Sequence, residues 1–468
     1  MSLSSIDPSN ANLSGAAGLP VQSIARNWVC PFCPLLCDDL VVHTHADDTL
    51  GAPDTDCARL AHALSTYRSA DASCRCIADG SDTDLDTALA RAAQIVSDAR
   101  RPLFGGLATD VAGARALYTL AAGCGAILDH RHGDALSAGT LALQDRGSFF
   151  TTLSEVRDRS DLLVFFHCRP SLRYPRFFTR IDGDEAAARE LIFVGNEPDP
   201  AASMHTPSRI DAVLPETDPY DTLALWSSLG EGRRADALPL ADADTVEVLT
   251  ALHERIAAAR YAVIVYEPAA LPGPHAALLI EALNRIVKAV NRTSRAACFA
   301  LGGDDGALTV NQTTTWLSGL PLRTRVAMPS RLAGTALLDH DPYRYSTDAL
   351  VARGEIDALL WVTSFAPDTW PAALDRRVPV VVLGHPALAD AAKARGAGTV
   401  FIPVATPGID SGGHLFRVDS SVVMPLAAAR GAPLPSVATI AAQLSARLPT
   451  AFAASSINAS ETTGEARR

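Results

Sequence analysis

Asp161-Leu162-Leu163-Val164-Phe165-Phe166 is an apolar run of strand length with no polar residue after its first position. A strand with one wet face alternates apolar and polar side chains. One without alternation is covered on both faces, as in the middle of a parallel sheet. The same signature returns at 191–194, 262–266, 358–362 and 378–383, and in shorter form at 102–106 and 126–128. Between these runs, 88–99, 112–123, 275–290 and 386–395 place apolar residues at helical spacing. Repeated strand and helix predict an α/β fold of parallel, Rossmann-like sheets with helices on both faces.

A chain of 468 residues exceeds one ordinary core. Joints rich in Pro, Gly and Asp near 195–220 and 230–245 suggest that an α/β region at 81–450 splits into lobes of roughly 81–240 and 241–450. No internal repeat is present. Residues 1–26 and 451–468 are small and polar and read as disordered tails. The first of them has no basic segment leading into an apolar one, so it does not read as a signal peptide, and a cytoplasmic location is expected. Hydrophobic residues at 48% and charged residues at 20% give a globular balance. A net charge of −12 without a basic stripe argues against nucleic acid as a partner. No apolar run reaches the roughly 18 residues of a membrane span.

In the cytoplasm the nine cysteines are to be read as thiols. Cys74, Cys76, Cys124, Cys168 and Cys298 are dispersed and read as small buried hydrophobes. Cys30, Cys33, Cys37 and Cys57 instead cluster in a turn-rich segment at 27–80, whose one strand candidate is 39–43. Thiolates this close converge on one centre only if the chain turns sharply, and Pro31 and Pro34 favour that turn. Three close cysteines and one distant one are the usual supply for a [4Fe–4S] cubane. Zinc is the main rival, but its usual pattern is two C-x2-C pairs, and Cys74-Arg75-Cys76 has the wrong spacing for the second. A third reading is that no metal is retained. Asp38 and Asp39 would repel an anionic cluster and read as turn-formers.

Trp28-Val29-Cys30-Pro31-Phe32-Cys33-Pro34-Leu35-Leu36-Cys37-Asp38-Asp39-Leu40, followed by Asp56-Cys57-Ala58-Arg59-Leu60, resembles the opening of the B-type chain of formylmethanofuran dehydrogenase. That family belongs to the molybdopterin-dependent formate dehydrogenase and DMSO reductase superfamily. Stretches at 147–161, 166–170, 174–176, 316–321, 354–357 and 408–419 resemble later blocks of the family, in order, from about Trp28 to Pro425. The resemblance implies a molybdopterin-oxidoreductase-like fold headed by an iron–sulfur subdomain. It also implies a two-electron step between carbon dioxide and formate at a molybdenum or tungsten bis-pterin centre, with cluster ligands at Cys30, Cys33, Cys37 and Cys57.

One departure changes that forecast. The family's metal-ligating Cys–His pair falls within 129–144, which here contains no cysteine. Equal-length matching puts Ala135 and Leu136 at those positions. A methyl group cannot ligate a metal and leucine cannot carry a proton. His130 and His132 are the nearest substitutes, although such histidines are more often solvated loop residues. A chain of this kind suits the bacterial formyltransferase/hydrolase branch. There the B-type relative assembles with three other chains: an amidohydrolase-like A-type, a β-helical C-type and a formyltransferase-like D-type.

The remaining candidates have modest signals. Gly412, Gly413, Arg417 and Asp419 match the family's late loop around the pterin. The turn at 302–306 could cradle a phosphate on backbone N–H groups. Arg169, Arg173 and Arg176 could bind an anion or a partner, or simply be solvated. Three functions result: a redox-silent scaffold within a formyl-transferring complex, a working dehydrogenase chain with an altered ligand, or a zinc-stabilised α/β binding protein. Whatever the metal, the sulfurs of residues 30, 33, 37 and 57 should come together.

Overall fold

The computed structural model describes residues 20–67, 75–182, 189–204, 209–233, 242–328 and 337–449. The expected tails at 1–19 and 451–468, and Cys74, lie outside them. Residues 21–26, expected in the first tail, instead belong to a strand. That strand, β1 (Val21–Trp28), pairs antiparallel with β2 (Leu40–His45), which pairs with β3 (Leu50–Gly51). Nearly all of β1 is exposed, so ladder hydrogen bonds hold it rather than burial, and its sequence lacks a buried strand's signature.

The other strands follow in chain order: β4 (Cys76–Ala78), β5 (Ser81–Thr83), β6 (Pro102–Ala108), β7 (Ile127–Leu128), β8 (Leu162–Phe166), β9 (Glu190–Val194), β10 (Arg209–Val213), β11 (Ala262–Tyr266), β12 (Ala296–Ala300), β13 (Thr324–Val326), β14 (Leu338–His340), β15 (Ala358–Thr363), β16 (Val380–Gly384), β17 (Thr399–Pro403), β18 (Gly413–Phe416) and β19 (Val423–Leu426). A nine-stranded sheet runs β14-β13-β7-β6-β15-β16-β17-β4-β5. Its middle, from β7 to β17, is parallel, and both edges are antiparallel. A five-stranded sheet, β10-β9-β8-β11-β12, is parallel throughout. The expected α/β class with parallel sheets is therefore observed.

The lobe boundary is not where the joints suggested. Strands β8 to β12 form their own sheet, inserted between β7 and β13, so the nine-stranded sheet is assembled from both ends of the chain. Both joints lie inside the inserted lobe, where they link β9, β10 and the helices Pro219–Gly230 and Ala243–Ala258. The expected subdomain at 27–80 is also shorter, because β4 and β5 extend the nine-stranded sheet beside β17. Helix starts follow local chemistry: Asp84, Asp110, Thr152 and Asp218 accept from first-turn amides that lack an intrahelical partner.

Residues 28–67 have no core of their own. Trp28, Phe32, Leu35, Leu40, Leu60, Leu64 and Tyr67 pack in one buried cluster with Phe165, Phe177, Phe193 and Phe299 of the five-stranded lobe. In both sheets the order reverses beside the first of the parallel strands, between β6 and β15 and between β8 and β11. Such switch points open crevices at the carboxyl ends of the strands, where α/β proteins place their ligands.

The first crevice depends on one glycine. Gly106 has φ +74° at a register shift between β6 and β15, and a Cβ there would lie 2.5 Å from the carbonyl oxygen of Val362. Gly106→Ala should destabilise the fold by about 2 kcal/mol or more, read as a lower urea midpoint.

Candidate functional site

The cysteine turn closes on itself: Cys30 N–H donates to Cys37 O at 2.9 Å and Leu36 N–H to Cys33 O at 3.1 Å. Leu36 takes a positive φ of 46° to allow this. Cys30, Cys33 and Cys37 are buried, and Cys57 is half-buried just before the helix Ala58–Ser65. Burial drives the Cys30 thiol well above its ordinary range, and Cys33, Cys37 and Cys57 add to the rise. Cys33 is pushed up to about 12 by burial, against the pull of Arg59. Cys37 is pushed up to about 11 by burial, against Arg176 and Arg180. Cys30 is thus within electrostatic reach of the other three sulfurs, Cys33 of Arg59, and Cys37 of Arg176 and Arg180. Among the described residues no three His, Cys, Asp or Glu side chains are placed to hold one metal ion. A tetrahedral zinc site needs that close convergence, whereas a cubane spreads four thiolates more widely.

Asp38 and Asp39 turn away from the sulfurs and pair with Arg180 at 2.8 Å and Arg176 at 2.6 Å. Arg176 therefore ties this segment to the helix Phe177–Ile181 rather than offering an anion site. Arg173 is also spent internally, and Arg169 is exposed.

The carboxyl ends of both sheets meet in a buried polar network. Asp304, just past β12, is nearly without solvent exposure. It pairs with Arg59 at 2.7 Å and Arg173 at 2.6 Å, and Tyr174 Oη donates to it at 3.3 Å. Arg173 also pairs with Glu267 past β11, and Arg59 donates to the carbonyl of Arg173. One residue on, Asp305 meets His132 at 2.9 Å and Arg131 at 3.5 Å, and Arg131 continues to Asp368. Burial alone would raise the Asp305 carboxyl. The hydrogen bond from His132 and the charges of His132, Arg131 and Arg59 hold it well below the carboxylate range. The turn at 302–306 thus carries two carboxylates into its surroundings, which corrects its reading as a phosphate cradle: a phosphate there would meet like charge.

Ala135 and Leu136 lie in the first turns of the helix Gly133–Arg146, and Leu136 packs against the core of the nine-stranded sheet. His130 is no solvated loop residue. It is buried, its Nδ1 accepts from His132 N–H at 3.0 Å, and its Nε2 contacts the carbonyl of Asp305 at 3.3 Å. Both ring nitrogens are engaged. Burial, followed by the neighbouring His132, lowers its pKa to about 3.

Of the late-loop candidates, Gly413 packs against Pro407 and Asp110, and Gly412 lies near the carbonyl of Leu426. Arg417 pairs with Asp419 at 2.7 Å, and Asp419 also accepts from Leu153 N–H at 2.8 Å. Both charged side chains are therefore satisfied within the chain. This loop touches the cysteine turn, where Val418 N–H donates to Pro34 O at 2.8 Å.

Sequence reasoning overlooked Tyr67. Its hydroxyl donates to Phe365 O at 3.0 Å and contacts Thr406 Oγ1 at 3.1 Å, at the carboxyl ends of β15 and β17. Its ring stands edge-on to His385 at 4.7 Å and lies beneath Arg430, which pairs with Asp410 at 2.8 Å. Tyr67 thus sits buried at the carboxyl ends of β15, β16 and β17, and nothing in its local sequence announces that role.

Two outcomes test this geometry. His385 is lowered to about 4, by burial and then by Arg430, so it folds neutral as His130 does. Their folded values lie below the ordinary 6.5, so the unfolded chain binds these protons first. Stability should therefore fall as pH drops from about 6.5 towards 4, and His130→Gln should flatten part of that slope in urea titrations across pH. Asp304→Asn, which removes the charge that Arg59 and Arg173 share, should cost about 1.5–3 kcal/mol in the same assay at neutral pH.

No protein-family model matches the chain. The B-type chain of the formyltransferase/hydrolase complex Fhc of Methylorubrum extorquens is 27% identical over 380 residues, covering 79% of this chain and 95% of that protein. The B-type chain of tungsten-containing formylmethanofuran dehydrogenase 2 is similar too. The Methanocaldococcus jannaschii protein is 32% identical over 163 residues, 34% of this chain and 38% of its own length. The Methanococcus maripaludis protein is 22% identical over 416 residues, 85% of this chain and 92% of its own. Among solved structures, the M. extorquens formyltransferase/hydrolase complex with methylofuran contains a chain that superposes with a TM-score of 0.65 at 25% identity, covering 80% of this chain and 98% of that one. Over most of its length this chain is thus similar to B-type proteins of the formylmethanofuran dehydrogenase family, the bacterial formyltransferase/hydrolase protein among them.

Proposed function

We propose that this chain is the B-type component of a cytoplasmic complex that transfers and hydrolyses formyl groups in one-carbon metabolism, and that it serves there as a redox-silent scaffold. The observation that carries the reading is a likeness to the B-type chain of Fhc along 95% of that protein, combined with Ala135 and Leu136 where the dehydrogenases need a thiolate and a proton carrier. The partners are an amidohydrolase-like A-type chain, a β-helical C-type chain and a formyltransferase-like D-type chain. The carrier is a methanofuran-type amine. Release of formate then needs only water: the C–N bond of the formamide breaks, the amine takes a proton and no electrons move.

A molybdenum or tungsten pterin does not suit the residues on this chain. The stretch at 129–144 offers no sulfur, the nitrogens of His130 are occupied, and Arg417 and Asp419 neutralise one another. No step is routed through such a group. The cysteine quartet suits a [4Fe–4S] cluster better than zinc. Its thiols face the positive charges of Arg59, Arg176 and Arg180, which an anionic cluster would balance. The family's fold, with an iron–sulfur subdomain at the head of a molybdopterin-oxidoreductase-like body, is the ancestral plan this reading assumes.

Affinity purification of the tagged chain from its native cells should bring down A-, C- and D-type partners in fixed ratio. The purified assembly should release formate from the formylated carrier with no electron acceptor present. A chain that purifies alone, or formate turnover that stops without an acceptor, would sink the proposal.

A further inference from the structure

The segment 20–67 reaches the carboxyl ends of both sheets, through Arg59 at one and Tyr67 at the other. From the helix Ala58–Ser65, Arg59 enters the five-stranded lobe and meets Asp304 and the carbonyl of Arg173. Tyr67, two residues after that helix, enters the nine-stranded sheet and bonds to Phe365 and Thr406. Further ties surround these two. Trp28 Nε1 donates to Gly408 O at 2.8 Å, Thr44 Oγ1 donates to Ala429 O at 3.0 Å, and Arg430 donates to Asp48 O at 2.8 Å. The cysteines contribute none of these ties and sit inside a core already continuous with the five-stranded lobe.

We infer that residues 20–67 act as a clamp that fixes the two sheets to each other, closed by Arg59 on one sheet and Tyr67 on the other, and not by a metal at the cysteine quartet. The physical basis is asymmetric. Arg59 shares with Arg173 the neutralisation of a carboxylate with 4% side-chain exposure, so its loss leaves a buried charge with half of its counter-charge. Tyr67 is buried, so its hydroxyl has no solvent to turn to. The inference goes beyond the scaffold reading and holds whether or not the complex assembles.

Hydrogen exchange read by mass spectrometry on the full chain tests it. Tyr67→Phe should speed exchange about tenfold in 58–67 and in 404–410 together, because both sides of one closure are released. Arg59→Met should speed it about a hundredfold or more in 58–67 and in 301–306 together. Cys57→Ala, and wild type treated with 1,10-phenanthroline, should keep the wild-type pattern across 28–67. If Arg59→Met does not fold, Tyr67→Phe still decides the question. Opening of 28–67 by the chelator or by Cys57→Ala would overturn the inference. So would a Tyr67→Phe pattern identical to wild type, or one confined to 58–67.

Discussion

Asp304 is a carboxylate with almost no access to water, and three parts of the chain meet in neutralising it. Arg59 comes from the N-terminal segment, Arg173 from the turn after β8, and Asp304 itself follows β12. Taking a charge out of water costs several kcal/mol unless partners of opposite sign and good geometry surround it. The chain therefore keeps these elements in register or loses much of its stability. Next to it, Asp305 extends the same constraint to the loop after β7 through His132 and Arg131. This network and Tyr67 are among the ties at the carboxyl ends of two sheets that share no hydrogen-bonded strand.

That arrangement changes the meaning of the cysteines. In a small loop-rich module with no core, a metal braces the fold. Here the module is part of a large apolar cluster and is anchored at both sheets. The cysteine quartet is free to be an inherited feature whose loading alters chemistry rather than architecture. A scaffold needs rigidity across its whole surface to present several partners in fixed geometry, and a clamp between two sheets supplies it.

Much of the fold could be read from sequence because strands buried on both faces leave continuous apolar runs, as at 162–166 and 262–266. Sheet membership could not. Strands β8 and β15 carry the same local signature, and only pairing with strands distant in the chain assigns them to different sheets. Turn-rich joints were misleading for the same reason, since a loop within a lobe and a loop between lobes have the same composition. Of the candidate site, the cysteine turn could be singled out because its spacing is local, and the structure closes it through Cys30 N–H and Cys37 O. Arg59 with Asp304 and Tyr67 with Thr406 could not, since their partners lie hundreds of residues away and each looks ordinary in its own segment. Arg417 and Asp419 stood out as residues of a pterin loop, and in the structure each is the other's partner.

On the proposed scaffold role, the cysteine quartet should carry its metal and the pterin's metal should be lacking. Metal analysis of the complex purified through this chain under anaerobic conditions separates those two sites most directly. Iron is expected as the main bound metal, with molybdenum and tungsten at trace level. Molybdenum or tungsten approaching one atom per chain would contradict the loss of the redox role.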